Sequence, residues 1–474
     1  MTGNTPSTTS PDAGSGAARQ IAILMLLAAI AGLALGLVGG AFRWCIDQAE
    51  HLRIAVFAFA HDQPAWGWLI AIAVTATGAT LAALLVKWVP QAAGSGIQYV
   101  EAVERGEEPP SALGVLVAKF VGGVLSIGSG MVLGREGPTV HIGAVLGAEA
   151  ARRSRRSAAD ARTLHSALSG AGLAVAFNAP LGGSLFVIEE VAQSVRARIV
   201  LPTLTGVAVA VATAWIVVGN APIFQVAPVP PPDLAQVGVF AVFGLLTGIL
   251  GAGYNRLILG FLTAARAARR VPPVAQAAII GGAVGLLLFL DPLGAGGGDP
   301  ISQGLLRGES LIPIVLAATL VIRFLAGPLS YAAGTPGGLF APLLAIGALW
   351  GALCGSVAKL ILPEVADTTV VVFVLVGMTS MFAATIRAPL TGIAVVVEMT
   401  ALATVLAPML AASVCAILVA AALRTRPIYE DLRERMLQVA SELDAGADRE
   451  PAPAYFPRER EVRMDLTRAD EAQG

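Results

Sequence analysis

The sequence carries uncharged, apolar runs at residues 21–42, 66–86, 199–232, 234–255, 271–290, 324–358, 368–386 and 399–423. Each reaches or approaches the roughly 20 residues that a membrane-spanning helix needs. Nothing constrains the fold more. Without water to satisfy the backbone, only helices and closed barrels cross a bilayer, and here the apolar residues form blocks instead of alternating as barrel strands do. Charged residues make up only 13% of the chain and hydrophobic ones 56%, against roughly a quarter charged in a soluble protein. The expected fold class is an all-α polytopic membrane protein. The stretch 113–133, interrupted by Lys119 and by glycines, reads as a shorter or broken helix.

The formal net charge of −1 says nothing about partners, but its distribution does. Arg152, Arg153, Arg155, Arg156 and Arg162 crowd one connection, Arg266, Arg269 and Arg270 another, and Arg424, Arg426, Arg433 and Arg435 follow the last span. The connections 219–233 and 291–303 hold no Lys or Arg. By the positive-inside rule the basic loops and both termini are cytoplasmic, in a cell inner (plasma) membrane. Topology accounts for these arginines, so no nucleic-acid partner is expected. Cys45, Cys354 and Cys415 lie in or beside apolar spans without metal-ligand spacing, and read as filler. The run 21–42 is too long for a signal-peptide core and stays as a span.

The chain repeats itself. "GREGP" (134–138) and "GLFAP" (338–342) share a G-x-[E/F]-x-P pattern, and each leads into a glycine-containing apolar helix, "TVHIGAVLGA" and "LLAIGALWGA". Further along, "NAPLGGSLFVIEE" answers "RAPLTGIAVVVEM", with Glu189 and Glu398 equally far beyond the proline. The expected organisation is a disordered tail (1–18), a first transmembrane repeat (19–217), an inter-repeat loop (218–233), a second repeat (234–430) and a charged tail (431–474). Repeats with Gly/Pro-interrupted segments at matching places point to a binding site at their interface.

The chemistry follows from helix ends. In both signatures the proline sits near a helix start, where its missing N–H costs little. The glycines before it leave backbone N–H groups free at a terminus carrying about half a positive charge, which attracts anions. Gly134, Gly137, Pro138 and Gly338 build these ends, and "GSGIQYVE" (94–101), with the Ser95 hydroxyl and Gly96, offers a third. Partial charges of this kind hold an ion weakly enough to release it. Glu136 then acquires a role. Its carboxylate can occupy the amides that an external anion would occupy, and protonation frees it. Arg135, its neighbour, does not face it on a helix, and is expected to find another carboxylate, such as Glu101, or to line the pore mouth.

Together "GSGIQ" (94–98), "GREGP" (134–138), "GGLFAP" (337–342) and "RPIY" (426–429) resemble the CLC chloride channel and transporter family, over roughly residues 20–430. The resemblance implies an inverted-repeat bundle of many tilted and broken helices, a homodimer with one pore per subunit. It implies chloride held by the hydroxyls of Ser95 and Tyr429 and by the amides of Leu339 and Phe340, with Glu136 as the external gate. It further implies that Glu190 is the internal proton-transfer group found in the family's exchangers, and that Glu101 supports Arg135. Tyr429 alone would read as an interfacial anchor; within "RPIY" it reads as pore lining. Glu189 and Glu398 read as structural, and Glu190 as the unpaired extra. Two positions depart from the family: Gln98 stands where Pro is usual, and His141 where Gln is. The tail is too short for the regulatory nucleotide-binding modules of many eukaryotic relatives.

The function expected is chloride/proton exchange through a glutamate gate, with a passive chloride channel of the same fold as the alternative. Its partners are chloride, protons and membrane lipid, with no cofactor or metal beyond bound chloride. An intramembrane enzyme would need a nucleophile–base pair or a metal cluster, and His51, His61, His141 and His165 show no ligand spacing.

Overall fold

The computed structural model describes residues 11–445 except 64, 227–228, 230, 269 and 362–366. Of the tail expected at 431–474, residues 446–474 lie outside the described residues, as do the residues before 11 and Arg269. The first half runs through α1 (Pro11–His61), α2 (Gly67–Trp88), α3 (Ile97–Glu104), α4 (Leu113–Gly128), α5 (Glu136–Arg153), α6 (Ala158–Phe177), α7 (Pro180–Phe186) and α8 (Ala197–Val218). The second half repeats that order with α9 (Leu234–Ala267), α10 (Pro273–Leu290), α11 (Asp299–Leu306), α12 (Pro313–Ala332), α13 (Phe340–Ile361), α14 (Asp367–Ile386), α15 (Pro389–Thr400) and α16 (Leu406–Ala422). A last helix, α17 (Ile428–Ala445), follows.

Two expectations need correction. Helix α1 begins at Pro11, inside the stretch expected to be a tail; Pro suits a helix start, and the alanines and Arg19 and Gln20 beyond it are good helix formers. The runs 324–358 and 399–423 are each broken between two helices. "GTPGG" (334–338) cannot continue a helix, and Ala401 turns left-handed at φ 52°. Because both breaks are uncharged, hydropathy does not register them, although the first is largely buried and the second largely exposed.

Burial separates lining from core. In α14 and α13, 89% and 72% of the apolar window is buried, against 33% in α1, α2, α9 and α10. On α1, Leu26, Ile30, Leu33 and Leu37 form an exposed stripe at helical spacing, while Leu24, Ala28, Ala31 and Leu35 are buried opposite. The glycines of the repeated helices explain the central packing. A Cβ at Gly143 or Gly147 of α5 would overlap the carbonyls of Leu168 or Leu164 on α6. One at Gly347 or Gly351 of α13 would do the same to Gly377 or Phe373 on α14. Small residues let backbones approach where lipid supplies no hydrophobic drive.

The two halves are joined across an approximate two-fold relation. Glu398 of α15 accepts hydrogen bonds from the amides of Leu181 (2.9 Å) and Gly182 (2.8 Å) at the start of α7. Glu189, just beyond α7, accepts from Leu390 (3.1 Å) and Thr391 (2.8 Å) at the start of α15. Each carboxylate caps the other half's helix, satisfying N–H groups that a helix start leaves free. The faces also sort. Arg433 of α17 bonds Glu107 beyond α3 at 2.6 Å, and Arg266 of α9 bonds Glu442 of α17, which gathers basic segments on one side. The two connections that are free of Lys and Arg meet where Gln303 and Gln225 exchange hydrogen bonds at 3.0 and 2.9 Å.

Candidate ion site

Among the described residues the only β-type pairing is one antiparallel bridge, between Gly134 and Gly338. Gly134 N–H donates to Gly338 C=O at 2.9 Å, and Gly338 N–H returns a bond to Gly134 C=O at 2.7 Å. The two G-x-x-x-P signatures therefore clasp each other, and α5 and α13 start just beyond the bridge, at Glu136 and Phe340. Two helix N-termini thus flank one buried spot.

Glu136 is fully buried, and its Oε1 accepts a hydrogen bond from the Phe340 amide at 2.6 Å. The amide of Ala341 also faces this carboxylate. Its Oε2 has no hydrogen-bond partner among the described residues. A Cβ added at Gly338 would collide with Glu136 and come within 2.8 Å of the Gly137 amide nitrogen. Leu339, buried, links the bridge to α13.

Ser95 closes the other side. A Cβ at Gly137 would strike its hydroxyl and reach 3.0 Å from the Gly338 Cα, so Ser95, Gly137, Gly338 and Glu136 share one place. The hydroxyls of Ser95 and Tyr429 are buried and have no hydrogen-bond partner among the described residues. Tyr429 lies against the Phe340 ring at 5.7 Å between centroids, and Phe340 also packs on Phe382 and Phe186 at 4.8 and 6.0 Å. The ring wall is apolar. Donors point inward without partners.

Sequence reasoning missed the residue that holds the Ser95 loop. Lys119 of α4 is fully buried, and its ammonium donates to the carbonyls of Gly94 (2.7 Å), Ser95 (3.0 Å) and Ala93 (3.3 Å). Drawing three carbonyls to one cation fixes a loop whose Gly94 and Gly96 have φ of 58° and 93°. A lone lysine in an apolar span is a functional signal by default; it had counted only as an interruption. Gln98 folds back so that its Oε1 accepts from the Gly96 amide at 3.1 Å. His141 sits under the Gly96 turn, with Nε2 2.9 Å from the Ser111 hydroxyl and its ring stacked on Tyr99.

Arg135 corrects an expectation. It reaches Asp299 at 3.4 Å and Asp47 at 3.5 Å, and its Nε donates to the Ala176 carbonyl at 3.2 Å. Glu101 is elsewhere, on α3 beside Glu190 and near Arg105 and Arg433. The reason is direction. Arg135 precedes α5 on the side of Asp299 and the 291–298 loop, whereas α3 packs under α17. Arg135 and Gly134 line a cavity of about 30 Å³ together with Arg53, Glu50 and Asp299, and a larger one of about 370 Å³ adjoins it. Glu190 lies in a single π-turn, Val187–Val191, at the end of α7, a form common at functional sites. The matching α15 is regular and carries Met399, also buried, at the equivalent place, so the extra acid occurs in one half only. Among the described residues no group of three His, Cys, Asp or Glu could hold a metal ion.

Fold and site define a polytopic inverted-repeat transport protein with a buried cluster of inward-facing donors. Residues 77–421 match the family described as voltage gated chloride channel, and the chain belongs to that family. It is 34% identical over 438 residues to the H(+)/Cl(-) exchange transporter ClcA of Salmonella paratyphi B, covering 91% of this chain and 92% of that one. Its structure resembles that of a slow cyanobacterial Cl-/H+ antiporter with a TM-score of 0.82 and 29% identity, covering 88% of this chain and 98% of the other. A CLC-type fluoride/proton antiporter shares the fold at a TM-score of 0.69 and 21% identity, over 86% of this chain and 97% of that one.

Proposed function

We propose that this protein exchanges chloride for protons across a bacterial inner membrane. One observation carries the reading: the Glu136 carboxylate occupies the Phe340 amide, at a helix N-terminus where an anion is otherwise stabilised. A carboxylate and a halide are then alternatives for the same donors. Glu136 ionised blocks the site; Glu136 protonated gives up its hold and carries a proton. The Ser95 and Tyr429 hydroxyls and the amides around Gly338, Leu339 and Phe340 hold chloride on the inner side of this gate. Gly96, Gly134, Gly137 and Pro138 shape the backbone that presents those donors, and Arg135 anchors it to Asp47 and Asp299. Glu190 receives the proton on the cytoplasmic side. The names of the Salmonella transporter and the cyanobacterial antiporter, both of which state chloride/proton exchange, support the same assignment.

No cofactor is needed, because partial charges and one titrating carboxyl supply all the chemistry. The termini are cytoplasmic, with the basic segments. Two copies pair with one pore each through the exposed apolar residues of α7, α15 and α16, including Leu181, Leu390, Leu410, Val414 and Leu418; lipid covers the rest. The test is to place the purified chain in liposomes under an outward chloride gradient and to record chloride and pH together. Uphill proton movement is expected. Chloride flux without protons would make the protein a passive channel of this fold.

A further inference from the structure

A proton bound for Glu190 must reach a carboxyl that is only 8% exposed. Its sequence neighbour Glu189 cannot pass one on, because both its oxygens are engaged by the amides of Leu390 and Thr391 and by the Thr391 hydroxyl. The approach lies on the other flank. Glu101 of α3, also buried, has its carboxyl against that of Glu190, and its Oε1 lacks a hydrogen-bond partner among the described residues. Helix α17 packs over α3 and is pinned there by Arg433, whose Nη1 bonds both oxygens of Glu107 at 2.6 and 2.5 Å. On the first turn of α17, next to Tyr429, stands Glu430. Its side chain is 32% exposed and pairs with Arg426 at 2.8 Å. Its charge acts on both Glu101 and Glu190.

We propose that Glu430 is the cytoplasmic port for protons, passing them to Glu101 and from there to Glu190. The assignment rests on the exchange reading above. In each step one O–H bond breaks on the donor carboxyl and one forms on the acceptor carboxylate. Glu430 regains a proton from cytoplasmic hydronium, whose broken O–H bond leaves water, so one proton passes from the cytoplasm into the protein and no other bond changes. Like charges crowded in a dry pocket favour sharing protons over full ionisation, while Arg433, Arg105 and Arg426 keep part of the negative charge in place. Chloride and proton paths thus part at consecutive residues, Tyr429 facing the Phe340 ring and Glu430 the carboxyl row.

The experiment records chloride and proton fluxes together for the full chain in liposomes. In Glu430→Gln the protons moved per chloride should fall several-fold, while Glu430→Asp keeps the wild-type ratio. Glu434→Gln, which removes another partner of Arg426 on the same helix, should leave the ratio unchanged. An unchanged ratio in Glu430→Gln overturns the inference. If that variant moves no chloride at all, Glu430→Ser reads the same ratio, and an unchanged value there is equally fatal. A wild-type protein that moves no protons would instead sink the exchange reading, and this inference with it.

Discussion

Truncating Glu136 to Ala removes the side chain that competes for the Phe340 amide. That hydrogen bond is 2.6 Å long, fully buried and made to a charged acceptor, a class worth about 1.5–3 kcal/mol. On the proposed gate an external halide has to displace it before binding, which would weaken the wild-type affinity by that amount. At about 1.4 kcal/mol per tenfold, Glu136→Ala should bind halide at this place about 10- to 100-fold more tightly. Isothermal titration of the detergent-solubilised protein with chloride or bromide measures it. Flux assays should show chloride still moving and proton transport abolished. Glu136→Gln keeps an acceptor oxygen and should gain less. If Glu136→Ala binds halide no better than wild type, the carboxylate and the ion are not rivals for these donors and the reasoning fails.

Lys119→Met strands three carbonyls of the Ser95 loop; melting in detergent should reveal a loss of about 1.5–3 kcal/mol, and halide titration a weaker site. Glu189→Ala and Glu398→Ala should lower thermal stability by similar amounts, about 1–3 kcal/mol each, since each leaves helix-start amides of the opposite half without an acceptor; a loss confined to one of them would refute the symmetric capping. Gly96→Ala forces a side chain to φ 93° against His141, costing at least about 1–2 kcal/mol, and His141→Ala should restore only part of the melting temperature because the backbone strain stays. Outside the membrane, the hydrogen bond from Arg426 holds the Glu434 carboxyl below its ordinary 4.5. That support is present above the ordinary value and lost as pH falls through the depressed one, so hydrogen exchange in α17 should quicken only on acidification below about pH 4.

The long apolar runs and the paired signatures made the architecture readable, because both write their physics into residue type. The antiparallel clasp of Gly134 on Gly338 lies one step beyond them: the sequence marks two helix starts, but only the packing of α5 and α13 turns them toward each other. A third match escaped notice. Gly96 and Gly298 both open short helices from left-handed conformations, and Arg105 and Arg307 both end them. Both segments also carry G-x-G before the helix and R-G-E after it (105–107 and 307–309), so the match was present in the letters, spread too thinly to stand out. The partner of Arg135 was misjudged for a related reason. Asp47 and Asp299 come from distant segments, and no periodicity connects them to "GREGP". Lys119, by contrast, was visible as a buried-span lysine; what the string of letters withheld was the three carbonyls waiting for it.

The clasp also limits how such a machine can move. Swinging one half away from the other would tear two peptide–peptide links in a water-free interior, and each orphaned polar group there costs several kcal/mol. A rocking cycle would meet that barrier on every turnover. On the gate proposed above, exchanging a carboxyl for an ion beside a fixed pivot would leave both links intact, and the motion that transport demands would shrink to the swing of one side chain.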